Sequence, residues 1–259
     1  MSELTEEQKG QVKSTLNERS RVLATLEGKL PPHPLETEWS INGDDVLTSI
    51  YRSSDLSRRG VRGLIAEYFF DREVLPRVER NGWKEVQIPK GDFPYDSVVE
   101  KGDSRVSIQI KLQRLTAGQP KRFWAHKYEQ VLYDVEVQKT RTGKKRQSKL
   151  GMVGGEAPKA LLELANTRPY PFGAFDILAV NMQPATKNWA EFRFTVANWL
   201  LPRADSPTLI EIHQPVALVP DDSWTDDLST CLEWYLSNRQ NKVLNDIKHP
   251  LRFRRVGKP

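Results

Sequence analysis

From Arg105 to Arg114 the chain alternates with period two, Val106, Ile108, Ile110 and Leu112 interleaving with Ser107, Gln109, Lys111 and Gln113. Successive side chains of a β-strand point to opposite faces, so one face of this segment is apolar and belongs in a core while the other carries polar groups. The preceding run, Tyr95 to Glu100, is joined to it by Lys101-Gly102-Asp103-Ser104, a short glycine-containing turn, which predicts an antiparallel hairpin. Gln109 and Lys111 then share one face, about 7 Å apart along the strand, with Asp96 on the neighbouring strand.

The rest of the chain supplies the layers. Residues 56 to 79 place Leu56, Val61, Leu64, Ile65, Tyr68, Phe69 and Val74 mostly at helical spacing and predict a core helix ending at Asn81-Gly82. Further strands are expected at 84 to 88, 131 to 139, 174 to 182 and 209 to 219, with a helix from Trp224 to Ile247. Residues 3 to 27 read as an amphipathic helix that stops at Gly28. The prolines of Leu30-Pro31-Pro32-His33-Pro34-Leu35 then favour an extended linker. The expected fold is α/β or α+β, a central mixed sheet flanked by helices. Its parts are an N-terminal helix and linker (1–40), a core (41–204), and a C-terminal strand and helix packed on that core (205–259).

Composition narrows the function. Among 259 residues, 39 Lys and Arg against 34 Asp and Glu leave a formal charge of +5, which suits a polyanionic partner. The one cysteine, Cys231, excludes an intrachain disulfide framework and a multi-cysteine zinc site, and its apolar neighbours mark it as a small buried hydrophobe. The acidic, polar start, Met1 to Glu7, lacks the pattern of a secretory signal. No apolar run approaches the roughly 20 residues of a membrane helix, so an intracellular, prokaryotic location without a membrane is expected.

The polar face of the hairpin suits phosphodiester cleavage. Asp96, the Gln109 side-chain carbonyl and the Ile110 backbone carbonyl are oxygen ligands for a hard cation, and Lys111 can hold an attacking water or stabilise charge on the phosphate. Pro94-Tyr95-Asp96, twelve intervening residues and Gln109-Ile110-Lys111 resemble the PD-(D/E)-x-K nuclease superfamily, with one residue between Pro and Asp. Gln stands in place of the usual acid, as in Mrr-like members. Glu67, in Gly60-Val61-Arg62-Gly63-Leu64-Ile65-Ala66-Glu67, resembles the auxiliary glutamate that members often carry on the helix before the first catalytic strand. The resemblance, over about residues 55 to 200, implies Mg²⁺ (one or two ions), double-stranded DNA, and a type II restriction endonuclease acting as a homodimer. Two alternatives remain open: a repair, modification-dependent or Mrr-like nuclease, and a DNA-binding module with a degenerate core.

DNA contacts are expected from Gln113 and Arg114, just beyond Lys111, and from the loop 138–149, where Lys139, Arg141, Lys144, Lys145, Arg146 and Lys149 occur without an acid. Arg168 is a further expected contact, in a segment (167–181) resembling a later core strand of restriction-endonuclease-like proteins. Asp176 reads as structural because its strand is almost wholly apolar. His126 and His213 lack a partner pattern and read as ordinary polar residues.

Overall fold

The computed structural model describes residues 33–89, 91, 93–123, 132–138 and 169–239. The helix expected at 3–27, the basic residues 139–149, Arg168, His126 and the helix positions from 240 onward lie outside the described residues. Contacts divide the chain into two units, 1–59 and 60–259.

In the first unit, Pro34 opens a helix instead of prolonging a linker. α1 spans Pro34–Trp39, capped by the His33 side chain on the Leu35 N–H at 3.2 Å. α2 spans Gly43–Arg52, and Asn42 caps it by accepting the Asp45 N–H at 2.8 Å.

The next helix, α3 (Asp55–Glu73), supplies the second unit from Gly60 on, and α4 (Leu75–Glu79) follows it. The sequence predicted one helix to 79. Pro76 breaks it, because proline has no N–H to donate and its ring clashes with the carbonyl four residues earlier.

The central sheet is mixed and five-stranded, in the order β1 (Lys84–Glu85), β2 (Ser97–Lys101), β3 (Ser104–Leu112), β8 (Ile177–Asn181), β9 (Phe192–Val196). β2 and β3 form the expected hairpin, Ser97 opposite Ile108 and Lys101 opposite Ser104. Gly102 opens its two-residue loop at φ 57°, the left-handed region where glycine carries no steric cost. β3 pairs in parallel with β8, and β9 returns antiparallel to β8 after the short helix α5 (Gln183–Thr186). Short strands β4 (Leu115–Thr116), β5 (Gln119–Pro120) and β6 (Arg122–Phe123) lead to β7 (Leu132–Glu136). A second sheet orders β10 (His213–Ala217), β7 and β6.

Each face of the central sheet has its own core. On one, Val106, Ile108, Ile110, Ile177 and Ala179 pack with Phe70 of α3, Leu75 and Val78 of α4, and Leu228, Cys231 and Leu232 of α6 (Leu228–Leu236). On the other, Leu178 and Val180 meet Leu132, Val135, Val216 and Ala217 of the second sheet. Cys231 is fully buried, and burial pushes its thiol pKa well up. The helix expected from Trp224 begins at Leu228, where the Asp227 carboxylate accepts the Ser229 and Thr230 N–H groups. Asp176 accepts hydrogen bonds from the Ser107 N–H (2.8 Å), the Ser107 hydroxyl (2.6 Å) and the Tyr235 hydroxyl (2.7 Å), tying β8 to β3 and α6. Among the described residues, no helix is long and apolar enough to cross a membrane.

Candidate active site

The site is a gap in the edge of β3. β2 covers that edge as far as Ser97 and the Asp96 N–H, which donates to the Ile108 carbonyl at 2.9 Å. β7 takes over beyond it, the Arg114 N–H donating to the Asp134 carbonyl at 3.0 Å and Gln113 bridging to Val135. Between them, among the described residues, β3 has no strand partner on this side. The backbone of Ile110 therefore needs other partners, since buried peptide groups are seldom left unpaired.

Side chains supply them. The Ile110 N–H donates to Asp96 Oδ2 at 2.8 Å, and the Ile110 carbonyl accepts from Gln109 Nε2 at 3.3 Å. Gln109 Nε2 also donates to Asp96 Oδ2. Asp96 is exposed while Gln109 is 1% exposed, so the carboxylate meets solvent on its outer side with the carboxamide buried behind it. Asp96 Oδ1 accepts no hydrogen bond from the described residues.

Glu67 and Lys111 complete the group. Burial raises the Glu67 pKa above 4.5, the carboxylates of Asp96 and Asp71 raise it further, and Lys111 opposes them. Burial lowers the Lys111 pKa below 10.5, against the attraction of Asp96 and Glu67. Asp71, one turn beyond Glu67 on α3, is itself raised by burial. The structure thus brings together all four residues expected at the centre, Glu67 from the helical face and Asp96, Gln109 and Lys111 from the hairpin.

The flanking residues depart from expectation. Gln113, expected at a phosphate, is 1% exposed between the two sheets, and neither atom of its carboxamide has a hydrogen-bond partner among the described residues. It offers no solvent-facing contact. Arg114 is half-buried and ion-paired with Glu136. His213, read from sequence as an ordinary polar residue, contacts buried Asp134 through Nδ1 at 3.0 Å, and Lys121 pairs with the same carboxylate at 2.6 Å. His213 and Asp134 are far apart in sequence and meet only through the pairing of β10 with β7.

The donor set can be tested against a divalent cation. Among the described residues, no three His, Cys, Asp or Glu side chains are placed to hold one. The oxygens at the gap are mixed in kind: the Asp96 carboxylate, the Ile110 carbonyl, and the Gln109 carboxamide if its oxygen turns inward, with the Glu67 carboxylate near enough to couple electrostatically to Asp96. All are hard donors of the sort Mg²⁺ takes, with water filling the remaining positions, so the residues fit such an ion.

No protein-family profile matches this sequence, and no curated protein does. A solved structure of a bacterial homing endonuclease is similar over 63% of this chain and 79% of that one, at 19% identity and a TM-score of 0.33. An overlap that small leaves the function to be argued from the site.

Proposed function

We propose that this chain is a Mg²⁺-dependent endonuclease of double-stranded DNA, of the PD-(D/E)-x-K type with glutamine in the second position, working as a type II restriction enzyme and a homodimer. The observation that carries the reading is the convergence of Asp96, Glu67, Gln109 and Lys111 on the unpaired edge of β3 at Ile110.

Asp96, the Ile110 carbonyl and, once its oxygen turns inward, the Gln109 carboxamide would hold the cation. When bound, it would polarise the scissile phosphate and acidify a water molecule. Lys111 would stabilise charge developing on the phosphate oxygens or hold the attacking water beside them, from a position where burial lowers its pKa against the attraction of Asp96 and Glu67. Glu67, with its raised pKa, is an auxiliary acid that can carry a proton between water and leaving group.

A second reading, a DNA-binding module with a degenerate core, is favoured by one observation: Gln109 already occupies Asp96 through a hydrogen bond. Incubating the protein and a Lys111→Ala variant with unmethylated plasmid and phage DNA, with Mg²⁺ or with chelator, separates the two. Discrete fragments that require both Mg²⁺ and Lys111 support the nuclease. Salt-sensitive binding without cleavage in any divalent metal supports the module and sinks the nuclease.

A further inference from the structure

We propose that the Gln109 carboxamide is a neutral latch on the cation site: its amino group holds the cation's ligands together in the metal-free protein, and cation binding turns it away. The inference deepens the nuclease reading and rests on it for the identity of the site.

The orientation of the carboxamide follows from chemistry. Asp96 Oδ2 and the Ile110 carbonyl oxygen only accept hydrogen bonds, and the end of the Gln109 side chain touches the first and lies 3.3 Å from the second. A carboxamide oxygen there would face two acceptors, so the group pointing at them is the NH2. Its partial positive charge lies between two of the oxygens that would hold the cation. The Ile110 N–H gives Asp96 Oδ2 its second donor at 2.8 Å, which fixes the carboxylate in this position.

A glutamate at residue 109 would set carboxylate against carboxylate, and the metal-free fold would carry that repulsion until a cation arrived. Glutamine removes the repulsion and satisfies the Ile110 carbonyl at the open strand edge. The cation must then displace two hydrogen bonds and meets one formal charge fewer. The last torsion of a glutamine side chain is broad and two-fold, so a half-turn exchanges nitrogen for oxygen without moving the strand. One buried side chain is thereby a donor in the metal-free form and a ligand in the loaded one.

Two measurements on the full chain, without DNA, test this. The first follows the side-chain amide signals of Gln109, assigned by their loss in Gln109→Glu, by ¹⁵N NMR as Mg²⁺ is added. The latch requires these signals to shift and their protons to exchange faster with water, saturating with the Mg²⁺ effect that Asp96→Asn abolishes. The second measures Mn²⁺ binding by electron paramagnetic resonance, in which Gln109→Glu should bind about tenfold tighter than the wild type, through the added charge on the ligand set. Gln109 signals unmoved while Mg²⁺ saturates at Asp96, Mn²⁺ affinity unchanged or weaker in Gln109→Glu, or no Mn²⁺ binding by either protein would each overturn the latch. If Gln109→Glu does not fold, the wild-type titration decides alone, its signals then assigned through Gln109→Met. A protein that shows the latch but cleaves no DNA would sink the nuclease reading and leave the latch standing.

Discussion

At the residue scale, Asp96 has two tasks, and substitutions separate them. It accepts the Ile110 N–H and the Gln109 amide, and it is the expected cation ligand. Asp96→Asn keeps an acceptor for Ile110, so its urea midpoint should stay close to that of the wild type. Asp96→Ala strips both donors and should cost about 1 kcal/mol, because water reaches this exposed position and replaces part of what is lost. Both should abolish cleavage; equal stability of the two variants would contradict the bonding described. Glu67 and Lys111 impose opposite pH dependences on folding. Lys111 has a lowered folded-state pKa, so below 10.5 and above that lowered value the unfolded chain binds a proton the folded one does not, and stability rises with pH. Glu67 has a raised folded-state pKa, so above 4.5 the folded chain keeps a proton the unfolded one has lost, and stability falls as pH rises through that window. Glu67→Gln removes the falling limb. In chelator at neutral pH it should stabilise the chain while ending activity, the trade expected where function holds a partly buried charge. A destabilised Glu67→Gln in a urea titration would refute this account. The centre of the site was legible because alternation alone puts Gln109 and Lys111 on one face beside Asp96. The contact of His213 with Asp134 was not, since no local pattern links residues so far apart.

At the scale of elements, legibility followed exposure. β3 has a polar and an apolar face, and its alternation gave the facing, and the extent to within two residues of the observed Ser104–Leu112. β9 carries an arginine between Phe192 and Phe194 and is buried along its whole length, because the helices cover one face and the second sheet the other. No strand is expected there from the sequence, although Phe192-Arg193-Phe194-Thr195-Val196 alternates apolar and polar residues, because Arg193 and Thr195 sit on a face that is buried and not solvated. The Arg193 guanidinium is tolerated because Nε donates to the Leu218 carbonyl at 2.9 Å and Nη1 to the Phe192 carbonyl at 2.7 Å. The break at Pro76 could have been read from the sequence, since a proline inside a periodic run is a stop signal. Asp176, expected from the sequence to be structural, accepts three hydrogen bonds and gives the test at this scale. Asp176→Ala removes the acceptor for three hydrogen bonds that join β3, β8 and α6, and should cost about 2 to 4 kcal/mol. Tyr235→Phe removes one of the three and should cost about 1 kcal/mol. The Tyr235 hydroxyl, its pKa pushed up to about 12 chiefly by burial and then by Asp176, remains a donor across any working pH. Equal losses in the two variants would show that the bonds to Ser107 contribute nothing.

For the whole molecule, sequence carries what the fold cannot, the electrostatics toward a polyanion. The formal charge of +5 is modest, and two cations that follow β3 are engaged within the fold: Arg114 with Glu136, Lys121 with Asp134. A surface that pairs its own cations has fewer left for phosphates, so affinity should depend on residues 139–149, which carry six Lys or Arg and no acid and follow β7, the strand that closes one side of the gap. Each phosphate contact adds about 0.9 to the slope of log affinity against log salt. Replacing Lys139, Arg141, Lys144, Lys145 and Arg146 together with alanine should therefore flatten that slope by up to about 4 units, measured by fluorescence anisotropy on a labelled duplex. Lys111→Ala should change it by about one unit or less while ending cleavage, because Lys111 meets at most the one phosphate under attack. The two variants thus divide binding from chemistry. A slope unchanged in the fivefold variant would remove the basic segment from the DNA interface and leave the +5 charge a property of the surface at large.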